Sequence, residues 1–519
     1  MFNKSKTSKL ILLFAGLFTI AIGAWVLLYP PAIFPDPAWG FQVMRGMRMG
    51  GGYNMLPTPD MTDINKNAPS FLAWWSPGQY LAPYGFISLL GINIGQAMAI
   101  TAAFCSLIGL SGFYLFFKRV GFSPIIAAVS VAFIAIQQAY MVPFIFYNGG
   151  EVLLFAFEGW FLYGCASIKS YGWAMAGFVF ISGLIGFFCK SSFLWIYFSG
   201  SLYLWIRASN TKKISAWVIN GLCIGVPAVV SLATIYISYL SKGANPASGS
   251  TGIMLAWETF TFPLASPLLA GFSLDDLTAG LVFHIGPALF NPTWTIIILV
   301  LSAVISIILI VYIVRTVPHP YYKLLLILFY SISVLFFGIS YLRQANISYE
   351  ARHMRIIGLI ITPGVIYLVY AAKKQYRVAF GILCTVIALV SFKYLFTGFN
   401  RNKNETAHNQ TGIAQLFIDQ PTLNYIKQLD KQHHDAIFAF ISADLGLEIN
   451  HNRIITFNPA GDGFYIENRH DYNGHAGPLY IILPLNYMGT KADLYLNSFP
   501  GYHNFKVVKP GNYLIYSAL

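Results

Sequence analysis

Charge is scarce in this sequence. Of its 519 residues only 10% are Asp, Glu, Lys or Arg, against roughly 25% in a typical globular domain. That shortage excludes a chain surrounded by water on all sides. Acidic residues are the scarcer kind, 19 against 32 Lys plus Arg, for a formal net charge of +13. The basic residues are scattered over short loops rather than gathered on one folded surface, which argues against nucleic-acid binding. Cysteine is also sparse. Cys105, Cys165, Cys189, Cys223 and Cys384 all lie in or at the edges of apolar runs, so they read as small packing residues, with no disulfide framework or metal spacing. No internal repeat is evident. No small-x-small cleavage site follows the first apolar run, which therefore reads as an uncleaved anchor.

What is abundant is apolar surface. Hydrophobic residues make up 56% of the chain, and the mean hydropathy is +0.61. The apolar runs approach the roughly 20 residues that cross a bilayer. They are Leu10–Tyr29, Ile92–Phe117, Ile125–Tyr140, Val152–Ile168, Ala174–Phe188, Ser191–Ile206, Ile214–Tyr239, Thr293–Val314, Leu324–Leu342, Ile356–Ala372 and Val378–Phe396. The pattern predicts a polytopic α-helical membrane protein with about eleven transmembrane helices. The fifth and sixth runs, separated by "CKS", form either a tight hairpin or one broken helix.

Charge orients the chain. With the N-terminus in the cytoplasm, the cytoplasmic segments hold Lys4, Lys6 and Lys9; Lys118 and Arg119; Lys169; Arg207, Lys212 and Lys213; Arg315 and Lys323; Lys373, Lys374 and Arg377. None holds Asp or Glu, so the positive-inside rule is met at every loop. The odd span count places everything after Phe396 outside. The expected organisation is a transmembrane region, residues 1–396, with a long first outer loop, residues 30–91, and an extracytoplasmic α/β domain, residues 397–519. In the tail, "RNKNETAHNQTG" reads as a polar linker, "IAQLFIDQPTLNYIKQL" has helical period, and "AIFAFIS", "RIITF", "LYIILPL" and "FKVVKPGNYLIYSA" read as strands.

Four places carry candidate chemistry on the outer side. In "FPDPAWGFQVMRGMRMGGGYN" Asp36 stands at the membrane face, suited to act as a general base or simply to cap the helix that Pro37 begins. That helix reads as interfacial, with Phe41, Met44 and Met47 on one side. Glu151 opens the fourth run, where a carboxylate also suits a helix N-terminus. Glu158, two turns deeper, is either functional or a protonated packing residue. Lys190 is a basic residue on the acidic side, either holding an anion or snorkelling. Arg343, Arg352, His353 and Arg355 cluster before the tenth run. Arg suits bidentate phosphate contacts, and pairing of one Arg with Glu350 is the alternative. The stretch "SFLAWWSPGQYLAPYG" places Trp74 and Trp75 at an interface, with Ser76 as N-cap and Pro77 at the first helical position.

These residues together resemble the GT-C superfamily of membrane glycosyltransferases, which includes protein mannosyltransferases and the lipid A aminoarabinose transferase. The matches are Asp36 after the first span, "WWSPGQYLAP" leading into the second, Glu151 opening the fourth, and "YEARHMR" before a late span. The resemblance implies a sugar donor on polyprenyl phosphate and a lipid, glycan or protein acceptor. It implies transfer at the outer face of a bacterial inner membrane, with inversion and with Asp36 as base. Arg352, Arg355 and Lys190, with Arg343 and His353 beside them, would hold the lipid phosphate. Trp74, Trp75, Gln79, Tyr80 and Tyr84 would line the sugar or acceptor rim. The family often places a second acid directly beside the first-loop Asp, whereas here Pro37 follows. Glu151, Asp60 and Asp63 then become candidates for an accessory acid or for a divalent metal ion, which some relatives bind. A transporter or flippase for lipid-linked glycans, a glycan polymerase or ligase, and a non-catalytic assembly factor are the competing readings.

Overall fold

The computed structural model describes residues 4–169, 171–210, 213–244, 252–284, 287–457 and 471–519. Lys212, counted above among the cytoplasmic bases, lies outside the described residues. In chain order the helices are α1 (Lys4–Val26), α2 (Pro35–Arg48), α3 (Gly78–Leu90), α4 (Ile94–Arg119), α5 (Pro124–Ala135), α6 (Gln138–Ile145), α7 (Gly150–Ser167), α8 (Trp173–Cys189) and α9 (Phe193–Ala208). They continue with α10 (Ile214–Ser238), α11 (Glu258–Gly271), α12 (Leu274–Leu277), α13 (Pro292–Thr316), α14 (Pro320–Leu342), α15 (Arg355–Ala371), α16 (Lys374–Asn404), α17 (Gln420–Gln432) and α18 (Thr490–Leu496). Three of these open with the same local signal, a polar cap followed by proline at the first or second helical position. Ser123 accepts from the Ile126 N–H, Asn291 from Trp294 at 3.0 Å, and Asp419 from Thr422, which satisfies donors that the first turn leaves open.

Each of the eleven apolar runs is helical, and the chain is a membrane protein, but the expected count of eleven crossings is not reached. Among the described residues seven helices are long and apolar enough to cross a bilayer, or eight if the pair α5 and α6 is one bent span. That pair turns by 48°. At the break the Gln137 amide donates to the Gly271 carbonyl at 3.0 Å and accepts from Ser273, so a polar side chain there is held by a neighbouring segment. The three remaining runs give α7, α8 and α9, of 18, 17 and 16 residues, at or below the short end of the range that crosses a bilayer; α7 also carries two carboxylates, Glu151 and Glu158. The fifth and sixth runs are a hairpin. Lys190 is extended between two separate helices, Tyr197 Oη donates to the Val179 carbonyl at 2.9 Å, and Gly186 leaves room for the Phe193 ring.

The chain forms two compact units. The first comprises residues 1–24, 102–143 and 150–396, and the second residues 25–101, 144–149 and 397–519. The second therefore takes in the whole stretch expected as the first outer loop, together with the C-terminal region, instead of dividing at residue 396. Its short strands are β1 (Ala32–Ile33), β2 (Met55–Leu56), β3 (Ser70–Phe71) and β4 (Phe146–Tyr147), with β1 parallel to β4 and β2 antiparallel to β3. Its sheet contains β5 (Ile437–Phe440), β6 (Arg453–Thr456), β7 (Leu479–Pro484), β8 (Lys506–Val508) and β9 (Tyr513–Ala518), in the order β6-β5-β7-β9-β8. The β5–β6 and β5–β7 pairs are parallel, and β9 is antiparallel to β7 and β8. Strand β5 is buried on both faces. Phe438 and Phe440 meet Leu423 and Ile426 of α17, while Ile437 and Ala439 meet Tyr495 and Phe499, with Ile64 completing that core.

Three local expectations change in this unit. The helix read over residues 413–429 begins only at Gln420, after the Asp419 cap. The stretch "RNKNETAHNQTG" is not a linker, because α16 runs through Asn404 and the amide of Asn402, itself buried, donates to the Ile145 carbonyl at 2.9 Å. Helix α2 is not interfacial. Phe41 and Met44 are fully buried, the Gln42 amide donates to the Ala443 carbonyl at 2.6 Å, and Arg45 donates to the carbonyls of Ile449 and Asn452.

Glu448 is buried, with Thr411 and Gln415 donating to one carboxyl oxygen and, among the described residues, no partner on the other. Burial raises its pKa to about 7, above its unfolded value near 4.5. The folded state thus favours the protonated form, and this stabilisation is full below about pH 4.5 and lost as pH rises through about 7. The melting temperature of the purified chain should fall between pH 5 and pH 8, and Glu448→Gln should flatten that slope.

Candidate functional site

In the second unit, Asp36 sits in the first turn of α2. It is not the cap, since the helix begins at Pro35 and Phe34 precedes it. The helix N-terminus favours a carboxylate there. The approach to this turn is fixed by the β1–β4 pair, with the Phe34 N–H donating to the Tyr147 carbonyl at 2.9 Å. The segment then continues through Asn148 to Gly149, whose backbone is left-handed (φ +56°). A Cβ on Gly149 would lie 2.8 Å from Gln79 Oε1 and 3.1 Å from Pro37 Cβ. The glycine therefore lets Asp36–Pro37, Gln79 and residues 147–149 pack together.

The tryptophan-rich stretch joins the same corner. Asn54 is fully buried with a left-handed backbone. Its amide donates to the Leu72 carbonyl at 2.9 Å, and its carbonyl oxygen accepts from Tyr80 Oη at 2.5 Å. One side chain thus pins both ends of the loop that carries Trp74 and Trp75, which are half-buried. Tyr147 Oη ties the loop again at the Gln79 carbonyl, 2.9 Å away, and the Tyr80 ring occupies the space over Gly40. Ser76 does not cap α3. Its hydroxyl is buried without a hydrogen-bond partner, and the helix starts at Gly78 after Pro77. Tyr84 lies one turn on, with the Arg48 guanidinium 5.3 Å from its ring centre.

Asp60 and Asp63 do not have the surroundings of a base. Thr62 donates to Asp60 through both its side chain and its backbone, and these bonds hold that carboxyl below the usual range. Lys66 pairs with Asp63 at 3.1 Å and lowers it likewise. Both shape the turn that delivers Ile64 to the sheet core, and a depressed pKa makes each a weak proton acceptor.

The first unit contains a chain of charges. Glu151, in the first turn of α7, accepts through one oxygen from Lys190 Nζ at 2.5 Å and from Arg352 Nη1 at 3.3 Å. Arg352 Nη2 continues to Glu350 at 3.0 Å. Glu350 accepts from Ser348, whose hydroxyl lies 3.3 Å from His353 Nε2. Arg355 pairs with Asp276 at 3.1 Å and donates to the Ala270 carbonyl. Asp275, next in line, accepts from the backbone of Leu281 and Ala351 at 2.9 and 2.8 Å; burial nonetheless raises it to about 6. Lys190 and Arg352 meet at Glu151, and Arg355 pairs separately with Asp276, so each of the three cations is paired to a carboxylate. Arg343 stands exposed as the residue that ends α14, where a cation suits the helix C-terminus.

Asp275, Asp276 and Asn148 were not singled out in the sequence. The Asp pair in "SLDDL" resembles any polar turn, and only the fold reveals that it faces Arg355 and the Ala351 backbone. Among the described residues no group of three or more His, Cys, Asp or Glu is placed to hold a metal ion. The Glu151 oxygen that accepts from two cations is a poor metal ligand for the same electrostatic reason, so a resident metal does not fit these residues.

Breaking this network from one side strands charge in a poorly solvated place. Glu151→Ala should cost about 3 kcal/mol, read as a lower thermal midpoint of the detergent-solubilised chain. Adding Lys190→Met to that variant should recover part of the loss, because the two residues are coupled.

No family model matches this sequence, and no curated protein matches it. Solved structures do. The archaeal oligosaccharyltransferase AglB from Archaeoglobus fulgidus, in complex with an inhibitory peptide and a dolichol-phosphate, aligns with a TM-score of 0.52 at 14% identity, over 99% of this chain and 74% of that one. ArnT from Cupriavidus metallidurans, in the apo state, aligns with a TM-score of 0.51 at 12% identity, over 97% of each chain. Both neighbours are GT-C glycosyltransferases, and at these identities the likeness shows that this chain shares their fold.

Proposed function

We propose that the chain is a GT-C-type glycosyltransferase that moves a sugar from a polyprenyl-phosphate donor to an acceptor hydroxyl, with inversion, at the outer face of a bacterial inner membrane. The observation that carries this is the alignment with ArnT over 97% of both chains. A fold hosts many chemistries, so the residues must supply the rest. The dolichol-phosphate in the AglB structure supports a lipid-linked donor. The uniformly basic short loops support a cytoplasmic N-terminus and an outer C-terminal region.

In this reading Asp36 takes the proton from the acceptor hydroxyl as its oxygen attacks the anomeric carbon. The bond from that carbon to the phosphate oxygen breaks, and the lipid phosphate leaves as an anion. Lys190, Arg352 and Arg355 stabilise that anion by exchanging carboxylate partners for phosphate oxygens. Glu151, Glu350 and Asp276 keep the cations positioned and neutralised between turnovers. Trp74, Trp75 and Tyr84, which are half-buried, offer aromatic faces to sugar C–H surfaces, whereas Gln79 and Tyr80, expected on the same rim, are buried and hold the loop from within. The acceptor is a lipid, a glycan or a protein.

The test uses membranes supplied with labelled polyprenyl-phosphate sugars. Asp36→Asn should keep expression and lose about 10²–10⁴ in turnover, the usual contribution of a positioned base. Unchanged turnover removes Asp36 from the mechanism. Donor binding by the unmodified protein with no sugar transfer to any acceptor would favour a transporter instead.

A further inference from the structure

The second unit contains a cavity of about 330 Å³ that the transferase reading does not use. Ligand pockets begin at about this size. One wall is α2, which contributes Phe41, Arg45 and Arg48. Asn93 comes from the turn between α3 and α4, and Gln410 and Asn450 from the C-terminal region.

The charge on this wall is the informative feature. Arg45 Nε and Nη2 donate to the backbone carbonyls of Ile449 and Asn452, and among the described residues Arg45 forms no salt bridge. Asp430 is the acidic group that acts on it. The oxygens of that carboxylate already accept from the backbone of Asn450 and His451 and from the Asn452 amide. Burial lowers Arg45 to about 10, so it stays cationic at neutral pH. Arg48 follows three residues later, on the same side of the helix. No Asp or Glu is among the residues lining the cavity.

We propose that this cavity binds a saccharide carrying an anionic group, a carboxylate or a phosphate. Arg48, exposed at the cavity, receives the anion through its planar guanidinium, and Arg45, whose Nε and Nη2 are spent on backbone carbonyls, adds its positive charge. The Gln410 amide suits ring hydroxyls because it both donates and accepts; Asn93 Oδ1 already accepts from the Gln96 N–H and Asn450 Nδ2 already donates to the Glu448 carbonyl, so Asn93 serves as donor and Asn450 as acceptor. Ile87, Ile92 and Ile94, half-buried in the lining, present apolar surface to the C–H side of the ring. A neutral apolar ligand would offer nothing to the exposed Arg48 guanidinium, and a bare inorganic anion would leave the amides and this apolar surface unused. The proposal does not depend on the transferase reading, because it concerns binding alone.

Isothermal titration calorimetry of the purified full-length chain in detergent tests it, with glucuronate, glucose 6-phosphate, glucose and inorganic phosphate as probes. Glucuronate and glucose 6-phosphate should each bind at least tenfold more tightly than glucose, and glucose 6-phosphate at least tenfold more tightly than inorganic phosphate. Arg48→Gln should remove at least fivefold of the preference over glucose. Ile87→Trp, which fills the cavity from α3, should abolish binding of all probes. Equal affinity for charged and neutral sugars, equal affinity for glucose 6-phosphate and inorganic phosphate, no binding of any probe, or an unchanged Arg48→Gln profile overturns the proposal. The four-probe comparison on the unmodified chain decides it even where a variant fails to fold.

Discussion

One oxygen of Glu151 joins three parts of the first unit: the start of α7, the end of α8 at Lys190, and the turn before α15 at Arg352. The positions of the other charges follow from it. Lys190 and Arg352, which meet at this one carboxylate, repel one another, and Glu350 supplies a further counter-charge for Arg352, while Arg355 has its own partner in Asp276. The result is three cations matched by three carboxylates. In a chain with 10% charged residues, such a concentration is costly to build, because every ion taken from water must be answered by a partner and by further hydrogen bonds. The network's balance also means that an incoming anion competes with carboxylates already in place, so binding there is an exchange rather than a simple addition.

Much of the architecture was legible in the sequence because it is written in periodicity and in local caps. Long apolar runs gave helices, and "IFAF" and "YIIL" gave strands buried on both faces. What was not legible depends on partners far away in the chain. Ser76 beside Pro77 carries the local grammar of a cap, yet its hydroxyl is buried and uncapping, because Asn54 fixes the loop from the other side. The polar run after Phe396 looks like a linker, yet Asn402 is buried against the Ile145 backbone. Among the candidate site residues, pairing of an Arg with Glu350 was legible as an alternative, and Arg352 makes that pair. The meeting of Lys190 and Arg352 at Glu151 was not legible, because a basic cluster in a sequence does not reveal which distant carboxylate faces it.

Glycine carries part of the geometry around Asp36. Gly149 has a backbone that other residues avoid, and it faces Gln79 and Pro37 at distances that leave no space for a side chain. Gly40 does the same for the Tyr80 ring.

The Gln42 amide meets the Ala443 carbonyl across 401 positions of chain, and Ile64 is buried beside strands made from the last residues. A ribosome adding about 5–20 residues per second needs on the order of tens of seconds to span that interval. The early partner must therefore wait, with its apolar surface unpaired, while every intervening helix is synthesised. Maturation of this unit is bound to the synthesis of β5 through β9, and a product cut short before Ile437 would leave Phe41, Met44 and Ile64 without the neighbours that shield them from water.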